Sequence, residues 1–177
     1  KGHCFRTNSD TEVVIHAYEE WGEDCVNNFR GMFAFGIVDQ RKNSIFIARD
    51  HFGIKPIVYY QDSHCFAFAS EIQALRQLRN IQLDLDLQAI DQYLWLQYIP
   101  APLSAFQQIK KLPPAHRMSV TFDGRVTEPE EYWTIEFCPD HQKNETELLT
   151  ELDAIMCDSV KAHLVSDVPF GAFLSGG

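Results

Sequence analysis

The tetrapeptide Ser9-Asp10-Thr11-Glu12 sets two carboxylates in the first turn of an expected helix. Ser9 is placed to cap that helix, and Glu12, three residues on, to complete a capping box by accepting from the Ser9 backbone N–H. Negative charge is favoured at this end of a helix dipole as well. Capping therefore accounts for Glu12, whereas Asp10, one residue past the cap, is free to hold a ligand's ammonium group. At the other end, Phe170-Gly171-Ala172-Phe173-Leu174-Ser175-Gly176-Gly177 reads as a buried strand running into a glycine turn. Glycines there let the backbone approach a phosphate, and a following helix would aim unpaired N–H groups at the anion. A phosphate-binding loop opens in this way, so the chain is expected to be an internal piece of a nucleotide-using enzyme.

A third stretch, Ala48-Arg49-Asp50-His51-Phe52-Gly53-Ile54-Lys55-Pro56, puts charges where an apolar strand ends. It is either a turn in which Arg49 and Asp50 pair with each other or with backbone, or part of a site. Nothing gives Arg49 or Lys55 a reason to be a catalyst. The histidines do not cluster with Asp, Glu or Cys at metal-ligand spacing and no Ser-His-Asp grouping assembles, so no metal site is expected. Cys4 has no neighbouring base and is not expected to be a nucleophile. The five cysteines are an odd set without Cys-x-x-Cys spacing, which points to free, buried or half-buried thiols.

The elements that must position these groups follow from periodicity. The helix opened by Ser9 carries Val13, Val14, Ala17 and Trp21 and ends at Gly22. Residues 32–38 and 44–48 form a hairpin, as do 57–60 and 65–69, and neither hairpin has a face left for water, as in a sheet sandwiched between layers. A short helix runs from Ser70-Glu71 to Leu78. Two apolar-faced hairpins cannot close a core alone, so their partner strands are expected upstream of Lys1. A helix over 87–98, the stiff Pro100-Ala101-Pro102 and Leu112-Pro113-Pro114 segments, and a hairpin-like stretch over 116–122 turning at Asp123-Gly124 read as a long ordered connector. An amphipathic helix over 145–164 then leads to the terminal strand, the order in which an α/β nucleotide domain begins.

Composition narrows the class further. The 177 residues are 45% hydrophobic, enough for a sizeable core, and the net charge of −10 contains no basic run, which argues against nucleic acid and anionic membranes as partners. No apolar stretch reaches the roughly 20 residues of a membrane span, and no signal-peptide pattern opens the chain, so a cytoplasmic location is expected.

Taken together, Ser9-Asp10-Thr11-Glu12, Gly31-Met32-Phe33-Ala34-Phe35, Ala48-Arg49-Asp50 with Gly53-x-Lys55-Pro56, Ala69-Ser70-Glu71-Ile72, Lys111-Leu112-Pro113-Pro114-Ala115-His116 and Ser166-Asp167-Val168-Pro169 resemble successive motifs of the glutamine-hydrolysing asparagine synthetase family. The resemblance covers nearly the whole chain, in the family's order. It implies an α+β fold: part of a four-layer αββα N-terminal-nucleophile-type sandwich with antiparallel sheets (1–82), a connector (83–144), and the first helix and strand of an α/β pyrophosphatase-loop synthetase domain (145–177). It implies two cooperating sites, one releasing ammonia from glutamine and one activating aspartate with ATP and Mg2+ as an acyl-adenylate, with ammonia passing between them inside the protein. A closed route keeps ammonia neutral and concentrated.

By the same resemblance Asp10 binds the α-amino group of glutamine, Leu174 lines the ATP site, and Ser175, Gly176 and Gly177 begin the pyrophosphate loop. The family's N-terminal Cys nucleophile, the arginine that clamps the glutamine carboxylate and the Asn-Gly oxyanion pair have no counterpart here. The fragment is therefore expected to be inactive, and its parent to be a ligase with small-molecule substrates, with a homodimer of the parent left open. Two alternatives stay open: a relative that amidates another carboxylate, such as one associated with exopolysaccharide, towards which Pro100-Ala101-Pro102 and Leu112-Pro113-Pro114-Ala115-His116 lean, and a non-catalytic binding module.

Overall fold

The structure is a computed structural model that describes residues 2–79, 81–139, 142–174 and 176. Two compact units divide it, Lys1–Ile135 and Glu136–Gly177. Among the described residues no helix is long and apolar enough to cross a membrane.

The first unit begins with helix α1 (Asp10–Trp21), which Gly22 stops by taking φ 62, and a 3-10 helix (Gly22–Asn28) follows. Seven short strands come next: β1 (Ala34–Asp39), β2 (Ser44–Arg49), β3 (Val58–Gln61), β4 (Phe66–Ala69), β5 (Ile109–Lys111), β6 (His116–Thr121) and β7 (Glu130–Glu131). Helices α2 (Ile72–Leu75) and α3 (Leu87–Leu96) lie between β4 and β5. All pairings are antiparallel: one sheet has the order β1-β2-β6-β7, the other β4-β3-β5.

Alternation along single strands explains the layering. In β2, Phe46 and Ala48 point to α1 and the 3-10 helix, packing with Ala17, Tyr18, Cys25 and Val26. Ile47 points the other way, to Ile57, Tyr59, Leu112, Met118 and Val120 between the two sheets. In β3, Tyr59 faces that central core, while Val58 and Tyr60 face outward onto Leu75 and Ile109. Successive side chains of a strand leave opposite faces, so a continuous apolar run is what a strand inside such a stack requires. The order is helix, sheet, sheet, then α2 with the segment around Leu83 and Phe106. This α+β arrangement with antiparallel sheets is the one the sequence led us to expect.

Three expectations are corrected. The hairpins' partner strands are supplied from within the chain: β6 pairs with β2 from Ser44↔Thr121 to Ala48↔Arg117, and β5 pairs with β3 from Val58↔Lys111 to Tyr60↔Ile109. Residues placed in a connector over 83–144 thus enter both sheets as far as Glu131. The helix expected over 87–98 ends at Leu96, where Gln97 takes the left-handed φ of 61.

The third correction concerns the terminal strand. The second unit contains α4 (Glu145–His163), opened by an Asn144–Glu147 capping box. Beyond it, residues 165–174 are irregular rather than a buried strand, with Phe173 and Leu174 fully exposed. A strand exists only as one side of a ladder, and no partner strand flanks this run among the described residues. The apolar stripe of α4, Leu149 and Ile155 included, is exposed as well.

Candidate functional site

Ser9 is the N-cap of α1, its hydroxyl oxygen accepting from the Thr11 N–H at 3.3 Å. Glu12 does not close the expected capping box. Its carboxylate instead accepts from the backbone N–H groups of Arg6 (2.8 Å) and Thr7 (2.7 Å) and from the Thr7 hydroxyl. The Thr7 hydroxyl first, and then the Arg6 N–H, draw its pKa down to about 2. Glu12 therefore pins the approach to the helix rather than its first N–H.

That division of labour leaves Asp10 exposed and without a hydrogen bond or ion pair among the described residues. Asp10 lines a cavity of about 410 Å³ together with Thr11, Lys55, Pro56, Ser70 and the β1 region from Met32 to Val38. The volume lies in the roughly 300–1,000 Å³ range of small-molecule sites. A lone carboxylate at its edge suits a ligand with an ammonium group, since such a contact is charge-assisted on both sides.

A second part of the lining depends on the turn after β2. Arg49 donates to three backbone carbonyls, those of Lys55 (2.9 Å), Gly53 (2.6 Å) and Leu112 (2.6 Å). Asp50, 1% exposed, accepts from the N–H groups of Phe52 (3.1 Å), Ile54 (3.0 Å) and Lys55 (2.9 Å). The backbone reading of this charged pair is the one observed, and its result is the placement of Lys55 and Pro56 against the cavity. Gly53 sits at φ 63, where a Cβ would come within 2.9 Å of Pro114 Cγ and 3.0 Å of Arg49 Cζ. Tyr132 completes the turn by donating its hydroxyl to the Arg49 carbonyl at 2.7 Å, and burial pushes that phenol's pKa up.

The residues assigned to ATP show no cradle. Leu174 is 96% exposed, a Cβ at Gly176 would meet nothing within 4 Å, and Ser175 and Gly177 lie outside the described residues. All five cysteines are free; Cys25 is fully buried, while Cys4, Cys65, Cys138 and Cys157 are exposed, and Cys4 lies outside the cavity lining.

Sequence spacing grouped no histidines with carboxylates, and the fold brings one such group together. His3, His16 and Glu19 each bring one ligand atom within 4.8 Å of the others. His16 and Glu19 lie three residues apart, neighbours on one helix face, and that spacing was the signal available. His3 joins them only because the approach to α1 folds back along it.

This fold, with a ligand-sized cavity between a helix start and a sheet edge, defines a class. Residues 1–133 match the glutamine amidotransferase domain family and residues 151–177 the asparagine synthase family. The chain belongs to the glutamine amidotransferase domain family. Among curated relatives, it is 38% identical over 177 residues to asparagine synthetase [glutamine-hydrolyzing] 1 of Bacillus subtilis (strain 168), and 36% identical over 178 residues to synthetase 3 of that organism. Both alignments cover 100% of this chain and 28% of the relative. A putative asparagine synthetase 2 of Methanocaldococcus jannaschii is 37% identical over 175 residues, 97% of this chain and 33% of the relative. The chain thus spans about 28% of the length of the two Bacillus relatives. The solved glutamine phosphoribosylpyrophosphate amidotransferase of B. subtilis superposes with a TM-score of 0.50 at 17% identity, over 76% of this chain and 25% of that one. That likeness concerns the fold.

Proposed function

We propose that the whole protein is a glutamine-hydrolysing asparagine synthetase and that this chain supplies part of its glutamine site. The observation that carries the reading is Asp10, an uncommitted carboxylate on a cavity of about 410 Å³, beside Ser9 and Glu12 that are both committed to backbone. Asp10 receives the ammonium of glutamine; the helix dipole, which alone would repel a cation at this end, is offset by the carboxylate. The Arg49–Asp50 turn holds Lys55 and Pro56 as a second part of the lining, so the ligand's position is set by backbone hydrogen bonds rather than by mobile side chains.

The reading extends to a four-layer N-terminal-nucleophile sandwich that includes β5, β6 and β7, to a synthetase domain that begins near residue 145, and to an ATP site begun by Leu174, Ser175, Gly176 and Gly177 with Mg2+. ATP would supply the activation of the acceptor carboxylate. Among the described residues Leu174 is exposed and a Cβ at Gly176 would meet nothing within 4 Å. Aspartate as acceptor, a cytoplasmic location, a homodimer of the parent and the absence of nucleic-acid and membrane partners belong to the same proposal.

The test uses the full-length protein with amide-15N glutamine, aspartate and ATP. The expected result is 15N in the side-chain amide of asparagine. Glutamate release with no labelled asparagine would overturn aspartate as acceptor, and no glutamate release would overturn the glutaminase reading.

A further inference from the structure

The geometry points to a divalent transition-metal site, best suited to Zn2+, formed by His3, His16 and Glu19. The carboxylate oxygen Oε2 of Glu19 lies 2.9 Å from Nδ1 of His16 and 3.6 Å from Nδ1 of His3. Ligand bonds of about 2.0 Å in a tetrahedron place neighbouring ligand atoms about 3.3 Å apart. The two observed separations bracket that value, and the two imidazole nitrogens, within 4.8 Å of each other, complete the set.

An independent observation concerns the far side of each imidazole. Nε2 of His3 faces Oε2 of Glu20 at 3.3 Å, and Nε2 of His16 lies 3.6 Å from Oε1 of Glu12. Histidines that bind a metal through one nitrogen regularly present the other N–H to a carboxylate, which fixes the tautomer and strengthens the donor. His3 has a carboxylate at that distance, and His16 has one just beyond it. The Nε2 atom of His16 is buried and has no hydrogen bond in the metal-free protein, since 3.6 Å exceeds bonding length. Phe5 packs edge-on against the His16 ring, centroids 4.9 Å apart, and helps hold its plane.

Two imidazoles and one carboxylate favour Zn2+ over hard cations such as Mg2+ and Ca2+, and they leave a fourth position for water or another small donor. The three side chains remain reachable, with His3 28%, His16 21% and Glu19 54% exposed. A bound ion would tie His3, upstream of the cap, to the middle of α1, on the same approach that Glu12 pins through Arg6 and Thr7. The metal therefore acts as a staple on the segment that delivers Asp10, and it does so whether or not Asp10 binds glutamine.

The experiment uses the full-length protein with Cys4, Cys65, Cys138 and Cys157 replaced by serine and accessible thiols outside this chain alkylated, so that thiols do not compete. After chelation and desalting, Zn2+ is titrated by calorimetry and Co2+ by visible absorption. The expected result is one ion per chain, a four-coordinate cobalt spectrum without thiolate bands, and a Zn2+-dependent rise in Tm. H3A and E19Q should each weaken binding at least tenfold, and E20Q, which changes the carboxylate facing Nε2 of His3, about tenfold. Glu19 and Glu20 lie on the surface, so E19Q and E20Q keep the test valid should H3A misfold. No stoichiometric binding at 100 μM Zn2+, or binding unchanged in H3A and E19Q, would overturn the site.

Discussion

Replacing Asp50 tests how the cavity wall is built. Its buried carboxylate serves three backbone donors, the N–H groups of Phe52, Ile54 and Lys55, at 2.9 to 3.1 Å. Each hydrogen bond to a charged acceptor is worth about 1.5–3 kcal/mol. Phe52 and Ile54 are themselves largely exposed, so water recovers part of that when the acceptor is removed. The net expectation for D50A is a loss of about 3–5 kcal/mol, a large share of the roughly 5–15 kcal/mol of an ordinary domain. D50N keeps an oxygen for Phe52 and Ile54 but turns an amide donor towards the Lys55 N–H, for a loss of about 1–3 kcal/mol. Urea unfolding gives both values, and amide hydrogen exchange should show Phe52, Ile54 and Lys55 losing protection before the strands do. Losses under 0.5 kcal/mol in both variants, or unchanged exchange at the three amides, would refute the view that this carboxylate organises the turn.

Other outcomes follow from the same coordinates. G53A must adopt φ near 63 with its Cβ against Pro114 and Arg49, and thermal unfolding should show a loss of about 1–3 kcal/mol. Burial pushes the Cys25 thiol up to about 11, so a thiol reagent at neutral pH should label Cys4, Cys65, Cys138 and Cys157 quickly and Cys25 only on unfolding. Asp62 is held below the usual aspartate value by the Tyr60 hydroxyl and then by the His64 and Cys65 N–H groups. A depressed pKa contributes stability that is present above the unfolded value of about 3.9 and disappears as pH falls through the lower native one. D62N should therefore flatten the acid limb of a stability-against-pH curve while changing it little in shape above pH 5.

Local signals made α1, α4 and both hairpins legible. Ser9 caps where the sequence placed it, and the continuous apolar runs of β2 and β3 announce strands buried on two sides. Pairings between distant segments were not legible. β5 has three residues and β7 two, too short for any period, and β6 looked like a self-contained hairpin although its main partner is β2. The run 170–174 has strand composition but no ladder. That Asp10 takes no part in capping could be read from its position past the cap, and it lines the cavity, whereas Glu12 obeyed the capping spacing and bonded elsewhere, to Arg6 and Thr7. The His3 contact spans thirteen residues to His16, and only a fold that turns the chain back on α1 creates it.

Glutamine kinetics of D10N in the full-length protein test the central claim most directly, with ammonia-driven synthesis as the internal control. Loss of one charge-assisted contact of about 1.5–3 kcal/mol should raise KM for glutamine about 10- to 150-fold, with kcat within a few-fold and synthesis from ammonia unchanged. An unaltered KM for glutamine in a folded D10N protein would contradict the account.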